Sequence, residues 1–229
     1  MTQELNFNQI PIDFTFFSKK SFDNFIVGNN KNLLDALCNL KNTDQIILIY
    51  GAKASGKTHL CEATMNIFPD KSHIISNHSS LMNQNLDDYY DLVVIDNLDK
   101  LISTKESEEI LFSVLNNQML HNKSAIITST TVVSKCNIGL KDLSSRLLSD
   151  KIFTISDLDD SDKINMMISF CAQRGLEINQ KVLEYIMNNC SRDLYFLCAL
   201  IKNIDSVSLS ERRKITIPFI KKVISQQNY

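Results

Sequence analysis

Gly51-Ala52-Lys53-Ala54-Ser55-Gly56-Lys57-Thr58 fits the phosphate-binding loop pattern G-x-x-x-x-G-K-[ST] at every fixed position. Such a loop works only between a strand and a helix, and both flanks are present. Residues 45–50 are a short apolar, β-branched run that reads as a buried strand, and 58–66 have the composition of a helix. Strand, glycine loop and helix in that order gather backbone N–H groups and the positive end of a helix around one anion, which is what holding a β-phosphate requires. The pattern assigns Lys57 to the β- and γ-phosphates and the Thr58 hydroxyl to Mg²⁺. ADP or ATP with Mg²⁺ is therefore the expected ligand, cradled by residues 51–58.

The rest of the chain alternates between strand and helix patterns. After residues 1–15, the spacing predicts a helix at 30–40 with Leu33, Leu34, Leu37 and Leu40 on one face. Strand patterns follow at 73–75, 91–96 (four apolar residues ending on Asp96), 124–129 and 151–155, with a helix at 106–121. Alternation of this kind implies a parallel sheet covered on both faces. From Asp157 the pattern becomes helical throughout, at 162–174, 180–190, 192–204 and 217–225, with Ser191 and Thr216 as N-cap candidates. The expected organisation is an N-terminal tail over 1–15, an α/β nucleotide-binding domain with five strands over 16–156, and a small all-helical domain over 157–229.

Composition narrows the function classes. A net charge of −2 argues against a protein that coats nucleic acid, so sequence-specific DNA binding is not expected. No stretch approaches the roughly 18 uninterrupted apolar residues of a membrane span, and Met1-Thr2-Gln3-Glu4 lacks the basic-then-apolar layout of a signal peptide. A cytoplasmic protein without membrane partners is expected. The six cysteines show no C-x-x-C spacing and lie mostly in apolar patterns, which reads as reduced core residues; the four histidines are scattered.

Several side chains extend the phosphate loop into a site. Asp96 ends its strand about 40 residues after the loop, where a nucleotide site needs a carboxylate to hold Mg²⁺. The next residue, Asn97, is an amide and cannot take a proton from an attacking water, so intrinsic hydrolysis should be slow. Asp99 lies beyond the strand end, with nothing to place it close enough to substitute. Thr128, Ser129 and Thr130 close the fourth strand; their hydroxyls either sense the phosphate or merely cap the strand end. Arg146 is either a solvated surface charge or a finger inserted into a neighbour's nucleotide site, where such a guanidinium accelerates phosphoryl transfer by roughly 10³ to 10⁵. Arg192 could reach back over the phosphates from the helical domain. In the tail, Gln9-Ile10-Pro11-Ile12-Asp13-Phe14 displays apolar groups around a proline that prevents helix, either as an N-terminal strand or as a linear peptide that docks in a partner's groove.

Taken together, the loop continued as His59-Leu60, the Ser21 to Gly28 box, the acid-ended third strand, Ser144-Ser145-Arg146-Leu147, Arg192-Asp193-Leu194 and the ending Arg213-Lys214-Ile215-Thr216-Ile217-Pro218-Phe219 resemble the DnaA/Hda family of AAA+ proteins. The likeness covers nearly the whole chain after residue 15 and is stronger toward the Hda regulators than toward the initiator itself. It implies an AAA+ core with a helical lid, and a tail in which Gln9, Ile10, Ile12 and Phe14 dock on the β sliding clamp of DNA polymerase III. It further implies that Arg146 is offered to the ATP of DnaA, stimulating its hydrolysis and shutting off re-initiation, and that a homo-oligomer can form. Asn97 departs from the family's usual second acid, and Thr130-Thr131 stand where an Asp-Arg pair is common. A second class, a helicase-loading ATPase acting on the replicative helicase and single-stranded DNA, would need a basic channel, for which Arg212, Arg213, Lys214, Lys221 and Lys222 are the concentrated charge. A small-molecule kinase would share the loop but needs a catalytic acid that is not evident.

Overall fold

The computed structural model describes residues 20–84, 90–149 and 151–226. In chain order the regular elements are α1 (Lys31–Cys38), β1 (Ile46–Tyr50), α2 (Lys57–Met65), β2 (Ser72–Ile75), α3 (His78–Met82), β3 (Leu92–Ile95), α4 (Leu98–Leu101), α5 (Lys105–Leu120), β4 (Ser124–Ser129), α6 (Lys141–Leu147), β5 (Lys151–Thr154), α7 (Asp160–Gln173), α8 (Gln180–Asn189), α9 (Leu194–Glu211) and α10 (Ile217–Gln226). The chain divides after Asp162 into two compact units.

In the first unit the five strands form one parallel sheet in the order β2-β3-β4-β1-β5. Alternate residues of the central strands go to opposite faces. Ile46, Leu48 and Tyr50 of β1, Val93 and Ile95 of β3, and Ala125 and Ile127 of β4 pack on one side with Leu111 and Leu115 of α5. Ile47, Ile49, Leu92, Val94 and Ile126 pack on the other with Leu33 and Leu37 of α1 and Leu60 of α2. Both faces are thus covered, which is why these strands read as continuous apolar runs rather than alternating ones. Leu48, Ile49 and Ile95 are completely buried, each worth about 1.5–3 kcal/mol of transfer free energy.

This strand order matters for the site. It sets the carboxyl ends of β3, β4 and β1 side by side, with Ile95 paired to Ile127 and Ile49 to Thr128. Residues far apart in sequence therefore converge where ligands bind in open α/β sheets.

Helix ends follow local chemistry. At α5, the Ser107 N–H donates to Thr104 Oγ1 while the Thr104 N–H donates to Ser107 Oγ, and Glu106 and Glu108 sit in the first turn. The single-turn helices α3 and α4 carry no periodic signal long enough to be read from sequence. Cys38 is exposed, contrary to the reading of the cysteines as core residues, whereas Cys61 and Cys171 are buried.

The second unit is helical, with its core built from Met167 and Cys171 of α7, Leu183 and Ile186 of α8, Leu197, Leu200 and Ile204 of α9, and Ile220 and Val223 of α10. Arg174 donates through Nε to Asp205 at 2.7 Å, tying the end of α7 to α9. α9 begins at Leu194 and runs to Glu211, not 192–204, and its cap is Asp193, whose carboxylate accepts from the Phe196 N–H at 2.9 Å. Ser191, expected as the cap, instead accepts from the Asp193 N–H at 3.3 Å one step earlier, so Arg192 precedes the helix. Among the described residues no helix is long and apolar enough to cross a membrane.

Candidate functional site

The phosphate loop leaves β1 through Gly51, whose N–H donates to Ser129 O at 3.2 Å on the neighbouring strand. It turns through Ala54 at φ +60° and enters α2 at Gly56, which has φ +96°. Only glycine takes that second angle without strain, and a Cβ on Gly56 would also lie 2.7 Å from the Phe25 ring. The Lys57 ammonium donates to Gly51 O at 2.7 Å and Ala52 O at 2.8 Å, folded over its own loop. Burial, with Lys57 only 6% exposed, lowers its pKa against the opposing pull of Asp96 and Asp99.

The carboxylate that ends β3 joins the loop to β4. Asp96, 3% exposed, accepts from the Thr58 hydroxyl at 2.8 Å on one oxygen and from the buried Thr128 hydroxyl at 2.5 Å on the other. Thr128 Oγ1 in turn accepts the Asn97 N–H at 2.9 Å. Asn97 stands in the left-handed region, at φ 61° and ψ 55°, where asparagine is among the tolerated residues.

The residues fit a nucleotide's phosphates. The Ser55 hydroxyl in the middle of the loop is buried and, among the described residues, has no hydrogen-bond partner, which leaves a donor within the loop for a ligand oxygen. Among the described residues the Lys57 ammonium donates to two carbonyls, which a phosphate oxygen replaces favourably. Thr58 Oγ1 and the Asp96 carboxylate supply the hard oxygen donors that suit Mg²⁺, which would screen phosphate charge and orient it.

Asp99 belongs to the site after all. Its carboxylate accepts from the Thr130 N–H (3.1 Å), the Thr130 hydroxyl (2.6 Å) and the Ser129 hydroxyl (3.3 Å), and its charge reaches Lys57. Thr130, expected to face the nucleotide, thus gives both of its donors to Asp99. The Ser21 to Gly28 box is anchored on the helix after the loop. His59 Nε2 bonds Ser21 O at 2.8 Å, the Phe25 ring meets the His59 ring edge-on at 5.5 Å, and Lys20 pairs with Glu62 at 2.6 Å. Asn30 then bridges to the end of β5, donating to Ser156 O and accepting its N–H. The sequence signals for these roles were the His59 that follows the loop and the Phe25 within the box.

Arg146 lies on α6, half-buried, with Nη2 donating to Asn116 Oδ1 of α5 at 2.8 Å. Arg192 lies in the second unit, its Nε donating to Met187 O at 3.2 Å. Gln9, Ile10, Ile12 and Phe14 fall outside the described residues.

Comparison with known proteins bears on both units. Residues 160–224 match the family model described as "Hda, lid domain". An uncharacterized protein of Haemophilus influenzae is 29% identical, over 95% of this chain and 98% of that protein. Domain III of the replication initiation protein DnaA from Thermotoga maritima superposes with a TM-score of 0.80 at 18% identity, covering 91% of this chain and 97% of that one. AMPPCP-bound DnaA from Aquifex aeolicus gives 0.67 at 23%, covering 86% and 69%. The Holliday junction branch migration motor RuvB of Thermotoga maritima gives 0.67 at 17%, covering 93% and 74%. At these identities the structural likeness establishes the fold, an AAA+ core of parallel strands followed by a helical lid. Residues 160–224 thus match the Hda lid, and the chain has the fold of DnaA domain III.

Proposed function

We propose that this chain is a nucleotide-bound regulator of chromosome replication initiation whose chemical contribution is made in a partner's site. It holds ADP or ATP with Mg²⁺ through residues 51–58 and Asp96, with Arg192 of the lid acting toward the same nucleotide and Thr130 toward it through Asp99. Through Gln9, Ile10, Ile12 and Phe14 it docks on the β sliding clamp of DNA polymerase III. From there it offers Arg146 to the ATP of DnaA and stimulates hydrolysis, preventing re-initiation. The boundaries of this machine are a docking tail over 1–15, a nucleotide domain over 16–156 and a lid over 157–229, working in the cytoplasm and able to self-associate.

One observation carries this reading. The cradle is built in full, yet the position after Asp96 is an amide, Asn97, with its own N–H engaged by Thr128. A site that grips phosphate but lacks the second acid suits a nucleotide used as a structural ligand, and leaves Arg146 as the group with chemistry to offer elsewhere. The helicase-loading alternative would draw on the positive charge at 212–222. There Lys222 pairs with Glu211 at 2.5 Å, Arg213 lies 3.7 Å from the same carboxylate, and Lys221 sits over the Tyr185 ring, so much of that charge is engaged within the lid.

The test is hydrolysis of DnaA-bound ATP on clamp-loaded DNA, with and without this protein. Stimulation that vanishes in Arg146→Ala, and equally on deletion of residues 1–14 while nucleotide affinity persists, is the expected result. Full stimulation by Arg146→Ala would refute the finger, and by the deletion variant would refute clamp docking.

A further inference from the structure

Arg146 is held from one helix at two levels. Its Nη2 donates to Asn116 Oδ1 at 2.8 Å. Two turns earlier on α5, Glu108, 6% exposed, accepts the Gly139 N–H at 3.1 Å on one oxygen and the Leu140 N–H at 2.7 Å on the other. Leu140 is the residue from which α6 starts. Between these contacts Leu111 and Leu115 of α5 share a core with Leu143 and Leu147 of α6. Positions 108, 111 and 115 recur at the i, i+3, i+7 spacing of one helix face and Asn116 flanks it, so adjoining parts of α5 meet the start, the buried side and the arginine of α6.

We propose that Asn116 and Glu108 are positioning residues for Arg146, with α5 as the template that sets where the guanidinium is presented. This rests on the reading of Arg146 as the group given to a partner's nucleoside triphosphate. Glu108 fixes where α6 begins, and Asn116 aims the arginine at its end. A guanidinium carries its donors in a rigid planar fork, so a hydrogen bond through Nη2 anchors one arm of that fork and leaves the Nη1 edge for phosphate oxygens. An amide also holds the arginine without cancelling its charge.

The experiment measures stimulated hydrolysis of DnaA-bound ATP on clamp-loaded DNA as a function of the concentration of this protein, with Arg146→Ala as the reference. Asn116→Leu keeps the size and removes the acceptor; Asn116→Asp keeps an acceptor in the same place. Asn116→Leu is expected to lower the maximal rate about 10-fold, within the ~10²-fold that a 1 Å misplacement can cost, with the half-saturating concentration unchanged. Asn116→Asp should recover a rate above that of Asn116→Leu. Glu108→Gln, which turns an N–H₂ toward one of the two backbone donors, should lower the maximal rate in the same manner, and all variants should bind ATP themselves as the wild type does. A wild-type or faster maximal rate for Asn116→Leu, equal losses for Leu and Asp, or a loss confined to the half-saturating concentration would each overturn the assignment. Full stimulation by Arg146→Ala would sink the finger reading and this one together. Loss there with a normal Asn116→Leu would sink this one alone.

Discussion

Thr130 gives both of its donors to Asp99, the N–H at 3.1 Å and the hydroxyl at 2.6 Å, and so ties the end of β4 to the short helix that follows β3. The pair lies just past the Asp96 and Thr128 contact, where the chain leaves β3 and β4, which are neighbours in the sheet. Burial raises the Asp99 pKa, but the hydrogen bonds from Thr130 and Ser129 outweigh it and hold the carboxyl below its ordinary value of 3.8.

That depression has a pH signature. A carboxylate with a lower pKa in the folded than in the unfolded state stabilises the fold above the unfolded value, and the contribution is lost as pH falls through the folded one. Thr130→Val removes the hydroxyl at nearly constant shape. It is expected to lower unfolding stability by about 0.5–1 kcal/mol at neutral pH, the size of an exposed hydrogen bond, with the gap to wild type closing in acid. Urea unfolding near neutrality and below the ordinary value checks this; a gap independent of pH would contradict it.

His59 gives the opposite kind of test, on a base. Burial lowers its pKa below 6.5, with the Ser21 carbonyl pulling it back and Lys20 pushing further down. The unfolded chain therefore binds the proton more readily, so stability is full above the unfolded value and falls as pH drops through it. The wild type should gain stability as pH rises through the window at and below the ordinary imidazole value of 6.5, and His59→Gln, which can still donate to Ser21 O, should lose most of that slope. Melting temperatures across this window decide it.

The same residues show what the sequence made visible. Thr58, Asp96 and the loop were legible because the motif fixes their spacing within one strand-loop-helix unit. Asp99 was not, because its role depends on a single-turn helix without periodicity and on β3 and β4 being neighbours in a sheet whose order no local pattern encodes. Asn30 and Ser156 lie 126 residues apart, and their pairing likewise exists only once β5 joins β1. Ser191 and Asp193 are both good caps by residue type, and α9 starts after Asp193 because its oxygen is the one that reaches the N3 amide.

Gly56 is constrained twice, by φ +96° and by the Phe25 ring 2.7 Å from where a Cβ would sit. Gly56→Ala is expected to cost about 1–3 kcal/mol of stability from backbone strain. Adding Phe25→Leu should return only the steric part, because the ring can be trimmed while the dihedral cannot. A double variant as stable as Phe25→Leu alone would show that the strain at φ is negligible.

Asn97 occupies the left-handed region at φ 61°, and aspartate shares asparagine's tolerance of that region. Asn97→Asp should therefore fold as the wild type does and keep its N–H on Thr128 Oγ1. It also restores a carboxylate beside Asp96, where a water bound against phosphate could lose its proton. General-base catalysis contributes about 10²–10⁴-fold, so intrinsic ATP hydrolysis by the pure protein should rise by at least about 10-fold, allowing for a base not tuned to its task. Phosphate release by Asn97→Asp and wild type at equal ATP occupancy measures this. A variant that binds ATP normally and hydrolyses it no faster would mean that the missing acid is not what limits turnover, and would remove the reason for regarding this nucleotide as a fixed part of the structure.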